Sequence, residues 1–130
     1  KGINPVSNKK WKIGISFPKK RIKNKFVETH EVNDKAIATS GNYYKFLIDS
    51  ITGEKYVHSI NPKNGLALSS NIISVSVSAP SCIVADAFAT ALMVMPLDMG
   101  RKVIDENQNI EATWIISKDK EFVQIKSSGW

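Results

Sequence analysis

The sequence contains only one cysteine, Cys82, among its 130 residues. It therefore cannot form an internal disulfide framework, and it lacks the grouped cysteines of a structural zinc site. Long apolar runs are also missing. The longest, Ala87 to Met95 with Thr90 inside it, is far shorter than the ~20 residues that cross a bilayer. These absences leave a single domain whose stability comes from an ordinary hydrophobic core.

Acidic residues are absent from residues 1–25, which carry nine lysines or arginines. The rest of the chain carries more acidic than basic side chains, so the net charge of +6 is concentrated at one end. Such a patch could attract an acidic partner, an anionic membrane or nucleic acid. It could also be a solvated turn whose lysines protect an edge strand. No aromatic run accompanies the patch, so nucleic acid is not an expected partner.

Alternation of apolar and polar residues predicts strands toward both ends of the chain, with two helices between them. The expected strands lie at 11–17, 26–32, 36–39, 73–78, 112–116 and 122–126. The first two are expected to form a hairpin over 11–32, and a second hairpin is expected over 43–60. A second, amphipathic helix is expected at about 98–107, with Met99, Val103 and Ile104 facing inward. This order predicts an α+β fold with a mainly antiparallel sheet and two consecutive helices.

The first helix follows Pro80 and Ser81, which suit a helix start, and ends before Pro96. Its residues are small or apolar on every side, which is typical of a fully buried helix. Asp86 and Thr90 interrupt this pattern and share one face, four residues apart. A carboxylate and a hydroxyl are hard oxygen donors, which suit Mg²⁺ or Ca²⁺ better than zinc.

Structural roles for the same residues remain open. Asp86 could pair with a lysine from elsewhere, and Thr90 could hydrogen-bond to its own helix. Cys82 is expected to be a small buried hydrophobe. His58 follows the alternation of Tyr56 and Ile60, and a histidine on such a strand face is more often a hydrogen-bonded core residue than a catalyst.

Four motifs occur in an order that is specific as a set. They are T-S-G-N-Y at 39–43, H-S-I-N-P-K-N-G at 58–65, S-V-S-V-S-A-P-S at 74–81 and A-D-A-F-A-T-A-L at 85–92. Together with K-G-I-N-P and W-K-I-G-I near the start, they resemble the C-terminal part of the ApbE-type flavin transferases, also called thiamine biosynthesis lipoproteins. The resemblance extends along nearly the whole chain.

This resemblance implies a specific activity. Members of the family cleave the pyrophosphate of FAD, transfer FMN to a threonine or serine of an acceptor protein and release AMP, with a requirement for Mg²⁺. Some members instead hydrolyse FAD to FMN and AMP. The acceptor is expected to be a subunit of a membrane redox complex. The protein is expected at the cell envelope, as a periplasmic lipoprotein facing out of the cytoplasm.

The resemblance also assigns residues. Asp86 and Thr90 match the family's metal ligands, and Ile60 matches a position that touches FAD. His58, Ser40 and Gly41 belong to motifs beside the cofactor, and His58 is also a candidate general base. The general base could instead be an acidic residue upstream of this chain.

Two features depart from the family pattern. Asn61 stands where an aspartate before proline is usual, which matters only if the charge of that aspartate was needed. The chain is also much shorter than family members. We therefore expect residues 1–130 to be the C-terminal portion of one flavin-transferase domain, inactive by itself. The alternative is a non-catalytic module that binds flavin or docks on an acidic partner through residues 1–25, including Lys19, Lys20 and Arg21.

Overall fold

A computed structural model describes residues 3–16, 26–43, 46–53, 55–57, 59–66, 70–119 and 121–130. The strands are β1 (Trp11–Ser16), β2 (Phe26–Val32), β3 (Ala36–Gly41), β4 (Phe46–Ile48), β5 (Lys55–Val57), β6 (Ile72–Ala79), β7 (Glu111–Lys118) and β8 (Glu121–Lys126). Helices α1 (Cys82–Val94) and α2 (Leu97–Asp105) lie between β6 and β7 in the chain. All pairs among these described strands are antiparallel, which confirms the predicted α+β class.

The largest described sheet has the strand order β3-β6-β7-β8, and both predicted hairpins form separate two-stranded sheets. One face of the large sheet packs on the two helices. Its buried side chains include Val75, Val77 and Trp114, which meet Ala89 and Leu92 of α1 in the core. Because burying a side chain the size of valine or leucine contributes about 1.5–3 kcal/mol, this layer supplies much of the stability of the fold.

The serines of β6 lie on the opposite face of the sheet but are not solvated. Ser74, Ser76 and Ser78 are buried, although their alternation with valine predicts a half-exposed strand. Strand β6 has neighbours on both sides, and those neighbours shield side chains as short as serine. Ser76 keeps a hydrogen-bonding partner there, since its Oγ lies 2.7 Å from Oγ1 of Thr39. Both faces of β6 are therefore buried.

The second helix occupies Leu97–Asp105, close to the predicted 98–107. Gly100 and Ile104 form its buried positions. Met99, which we expected to face inward, is 52% exposed, so that prediction is wrong. The reason is close packing: a Cβ at Gly100 would lie 3.1 Å from Leu92 Cδ2 and 3.7 Å from Trp114 Cζ2. The helix thus approaches the core through its glycine.

The C-terminal residues tie the β1–β2 hairpin to the large sheet. The indole of Trp130 stacks on His30, with ring centroids 4.2 Å apart and an interplanar angle of 26°. Its Nε1 donates a hydrogen bond to Glu28, which also forms an ion pair with Lys126 of β8. We call these four residues, Glu28, His30, Lys126 and Trp130, the C-terminal clasp.

Glu28 and His30 of the clasp have shifted pKa values. Partial burial by itself would raise the pKa of Glu28, but hydrogen bonds from Lys126 and Trp130, with the charge of Lys126, bring the pKa below its ordinary 4.5. Partial burial lowers the pKa of His30 below its ordinary 6.5. The negative charge of Glu28 opposes that effect, and the positive charges of Lys35 and Lys126 add to it.

We expect the stability of the fold to decrease on acidification in two steps. The unfolded chain protonates His30 near pH 6.5 and Glu28 near pH 4.5, whereas the folded chain resists both until lower pH. Wherever the unfolded state binds more protons, stability falls as pH falls. Urea unfolding of the protein at pH 8 to 4 should show this trend. A His30→Phe variant keeps a ring against Trp130, so only the step near pH 6.5 should disappear. An unchanged pH profile in that variant would contradict the assignment.

Neither described helix is long and apolar enough to cross a membrane. Helix α1 has 13 residues, against the ~20 that a bilayer requires.

Candidate metal and nucleotide site

Strand β6 runs almost directly into α1, with only Pro80 and Ser81 between them. Ser81 is the N-cap, as predicted: its backbone is extended (φ −139°, ψ 156°) and its Oγ accepts a hydrogen bond from Val84 N at 3.4 Å. Pro80 lies just before the helix rather than in its first turn. The helix ends at Val94, because Met95 is already extended and Pro96 follows.

Helix α1 is buried on one side only. Its buried residues, Ala85, Ala89, Leu92 and Met93, recur at helical spacing and pack on the sheet. Asp86 and Thr90 lie on an exposed flank, and Cys82 is exposed as well. The predictions of a fully buried helix and of a buried Cys82 are therefore wrong. Alanines occupy both sides of this helix, so composition could not show which side faces solvent.

The carboxylate of Asp86 does not need a metal ion in order to be stable in the fold, because it is exposed. Its carboxylate remains in contact with water, so no burial penalty has to be offset by a partner. It forms no ion pair with any residue that the structure describes, so the alternative of a lysine partner gains no support there. A carboxylate that is accessible and unpaired within the described chain is available to a hydrated cation.

Thr90 meets a second motif. Its Oγ1 lies 3.2 Å from Oγ of Ser40 in β3, at hydrogen-bond distance. This contact joins the T-S-G motif to the Asp86–Thr90 pair across 50 residues of sequence. Ser40 and Gly41 extend strand β3 beyond the predicted 36–39 and lie opposite Val75 and Ser74 of β6. The structure thus brings three of the residues assigned by resemblance to one end of β3.

Asn42 is a residue whose importance the sequence did not reveal. It was noted only as part of the T-S-G-N-Y motif, yet its side chain is buried. Its backbone N–H donates to Ile73 O at 2.9 Å, and its Oδ1 accepts a hydrogen bond from Ser59 Oγ at 3.1 Å. Asn42 therefore links the end of β3 to the segment that carries Ile60. The sequence feature that could have indicated this role is a polar residue placed directly after a strand of small residues.

The loop after Ser59 is a compact turn. Asn61 Oδ1 accepts from Lys63 N at 2.9 Å, and Asn61 O accepts from Gly65 N at 2.8 Å, where Gly65 has a φ of 68°. These bonds need an acceptor oxygen rather than a charge, so asparagine is sufficient to form this turn. Ile60 is 57% exposed and makes no contribution to the core cluster of described residues. It is free to contact a ligand.

Four residues that were named above for a functional role fall outside the described part of the chain. His58 is one of them, so neither its role as a base nor its place beside a nucleotide is tested. The basic residues Lys19, Lys20 and Arg21, on which the docking alternative depends, are the others.

The oxygen donors of this site fit a hard cation that keeps most of its water. Among the described residues, no group of three or more histidine, cysteine, aspartate or glutamate side chains could hold a metal ion. Asp86 and Thr90 supply two donors on one accessible flank of α1. Mg²⁺ commonly binds through one or two carboxylates and retains several waters, so it suits a sparse site of this kind.

Comparison with known proteins agrees with the motif order. The ApbE family model matches residues 1–114. An FAD:protein FMN transferase of Vibrio cholerae is 36% identical over 121 residues, which are 92% of this chain and 35% of that protein. The FAD:protein FMN transferase of Haemophilus influenzae is 30% identical over 130 residues, which are all of this chain and 36% of that protein. The chain thus spans about a third of the length of these relatives.

Solved structures show the same fold. The flavin transferase ApbE from Vibrio cholerae matches with a TM-score of 0.76 and 36% identity, covering 98% of this chain and 38% of that one. The apo flavinyl transferase ApbE of Pseudomonas stutzeri matches with a TM-score of 0.74 and 25% identity, covering 93% of this chain and 36% of that one. By family match, sequence identity and fold, this chain belongs to the ApbE family.

Proposed function

We propose that this chain is the C-terminal part of a Mg²⁺-dependent flavin transferase, which moves FMN from FAD to an acceptor protein. The observation that carries the proposal is the cluster at the end of β3. Ser40 touches Thr90, Thr90 shares a helix flank with Asp86, and Asn42 connects this strand end to the segment of Ile60. Relatives with FAD:protein FMN transferase in their names support the reaction type.

The proposed reaction needs no nucleophile from this chain. A threonine or serine hydroxyl of the acceptor attacks the phosphorus of the FMN half of FAD. A phosphoester bond forms, the pyrophosphate bond breaks and AMP leaves with the electron pair. The proton of the hydroxyl passes to a general base, for which His58 is the candidate within this chain.

The residues of this site would bind two different ligands, the metal ion and the flavin nucleotide. Asp86 and Thr90 would hold the cation, which when bound offsets the negative charge of the pyrophosphate. Ser40, Gly41, Ile60 and His58 would line the flavin nucleotide. The exposure of Asp86 and Ile60 is consistent with these roles, because a binding residue must be reachable by its ligand.

The acceptor and cellular location are parts of the same proposal. We expect the acceptor to be a subunit of a membrane redox complex. We expect the whole protein to act at the cell envelope as a periplasmic lipoprotein. Family resemblance supports both statements.

The proposal is tested with the complete polypeptide, FAD, Mg²⁺ and an acceptor that contains a target threonine. The expected products are a covalent, fluorescent flavin–acceptor adduct and an equal amount of AMP. The 130-residue chain by itself should form neither, because it spans only about a third of its relatives. AMP and free FMN without an adduct would instead indicate an FAD pyrophosphatase. Intact FAD bound without turnover would indicate a non-catalytic flavin-binding module.

A further inference from the structure

The contact between Ser40 and Thr90 joins two hydroxyl groups. Oγ to Oγ1 is 3.2 Å, and either group could be the donor. Only one proton lies between the two oxygens, so one hydroxyl must donate and the other must accept. A threonine inside a helix often donates back to a carbonyl of its own previous turn. Here Ser40 provides an acceptor outside the helix.

We propose that Ser40 is a positioning residue that accepts the proton of Thr90 and thereby directs a lone pair of Thr90 toward the cation. This inference rests on the proposed function, in which Thr90 is a metal ligand. A hydroxyl that coordinates a cation through a lone pair must point its O–H bond away from that cation. An acceptor on the far side keeps it in that orientation, as outer partners of metal ligands generally do.

Ser40 is well placed for this role because its backbone is constrained. Strand β3 pairs with β6 over its whole length, with Ser40 opposite Val75. The next residues are also anchored, since Asn42 N–H bonds to Ile73 O and the side chain of Asn42 is buried. Ser40 is itself half-buried, whereas its contact with Thr90 is exposed. The position of its Cβ, from which Oγ reaches Thr90, is therefore set by the sheet.

The neighbouring residue in β3 offers a matched control. Thr39 points to the opposite face of the sheet, where its Oγ1 lies 2.7 Å from Ser76 Oγ. A Thr39→Val variant also removes one hydroxyl–hydroxyl contact between β3 and its surroundings. Unlike Ser40→Ala, it does not remove a contact of Thr90. Comparing the two variants separates a loss of sheet stability from a loss of metal binding.

The experiment measures Mn²⁺ affinity of the complete polypeptide by electron paramagnetic resonance, together with the Mg²⁺ concentration that gives half-maximal flavin transfer. Ser40→Ala should weaken both by roughly 10- to 100-fold, the usual cost of losing a group that orients a metal ligand. Ser40→Thr keeps a hydroxyl and should restore affinity close to that of the parent protein. Thr39→Val should bind Mn²⁺ like the parent protein.

A second set of variants distinguishes a failure of the positioning role of Ser40 from a failure of the proposed metal site. In a Thr90→Val background, Ser40→Ala should have no further effect on Mn²⁺ affinity, because its target is gone. If Asp86→Ala and Thr90→Val weaken Mn²⁺ binding but Ser40→Ala does not, the positioning role is wrong and the metal site stands. If none of the three changes Mn²⁺ affinity, the metal site of the proposed function is wrong. Equal losses in Ser40→Ala and Thr39→Val would also overturn the positioning role.

Discussion

Replacing Asp86 with alanine should abolish Mg²⁺-dependent flavin transfer by the complete polypeptide while leaving its fold intact. We expect a loss of at least about a hundredfold, since even groups that only orient a metal ligand cost about ten- to hundredfold when removed. The side chain is exposed and forms no ion pair with a described residue, so its removal should change stability by no more than about 0.5 kcal/mol.

The matched control is Asp105→Ala. Asp105 is also an exposed helical aspartate, but it ends α2 instead of lying beside Thr90. Rates of AMP release and urea unfolding should be measured for both variants. Full activity in Asp86→Ala would refute the metal role. Unfolding of Asp86→Ala, with Asp105→Ala unaffected, would show that Asp86 is structural.

The largest effect on stability is expected at Trp114, the largest fully buried side chain among the described residues. It lies between the sheet and the helices, close to Gly100 and within the cluster that contains Leu92. Trp114→Ala should reduce the free energy of unfolding by about 3–5 kcal/mol, because the surrounding core cannot collapse into so large a cavity. Whole domains are stable by only about 5–15 kcal/mol, so this variant should be close to unfolding.

Two further substitutions make the Trp114 experiment specific. Trp11→Ala removes the same atoms from a half-buried site in β1 and should cost clearly less. Trp114→Phe should also cost less than Trp114→Ala, because it keeps a ring and removes an indole N–H that has no hydrogen-bond partner among the described residues. Unfolding by urea gives all three values. Similar losses for Trp114→Ala and Trp11→Ala would contradict the central role of this side chain.

Periodicity in the sequence was sufficient to predict most of the fold. The two hairpins, the last two strands and both helices lie where alternation and capping residues placed them. The errors concern which side of an element is buried. Met99 is exposed and Gly100 buried because helix α2 packs so closely that a Cβ at Gly100 would be in tight contact with Leu92. That distance is a property of the tertiary packing, which a hydrophobic pattern does not encode.

Part of the candidate site was also predictable. The four-residue spacing of Asp86 and Thr90 already places both on one face of a helix. Which way that face points was not predictable, because the alanines on either side of it are compatible with burial or exposure. The contact of Thr90 with Ser40 and the anchoring role of Asn42 depend on the pairing of β3 with β6. Long-range pairing of this kind leaves no trace in local sequence.

Strand β6 acts as a common reference for both halves of the cluster. The pairing of β6 with β3 positions Ser40, and the short connection from Ala79 of β6 to α1 positions Thr90. The distance between the hydroxyls of Ser40 and Thr90 therefore depends on one strand, β6. During folding, the hydroxyl pair can come together only once this ladder has closed. In the proposed role of Ser40, full affinity for a cation would therefore require the closed ladder between β3 and β6.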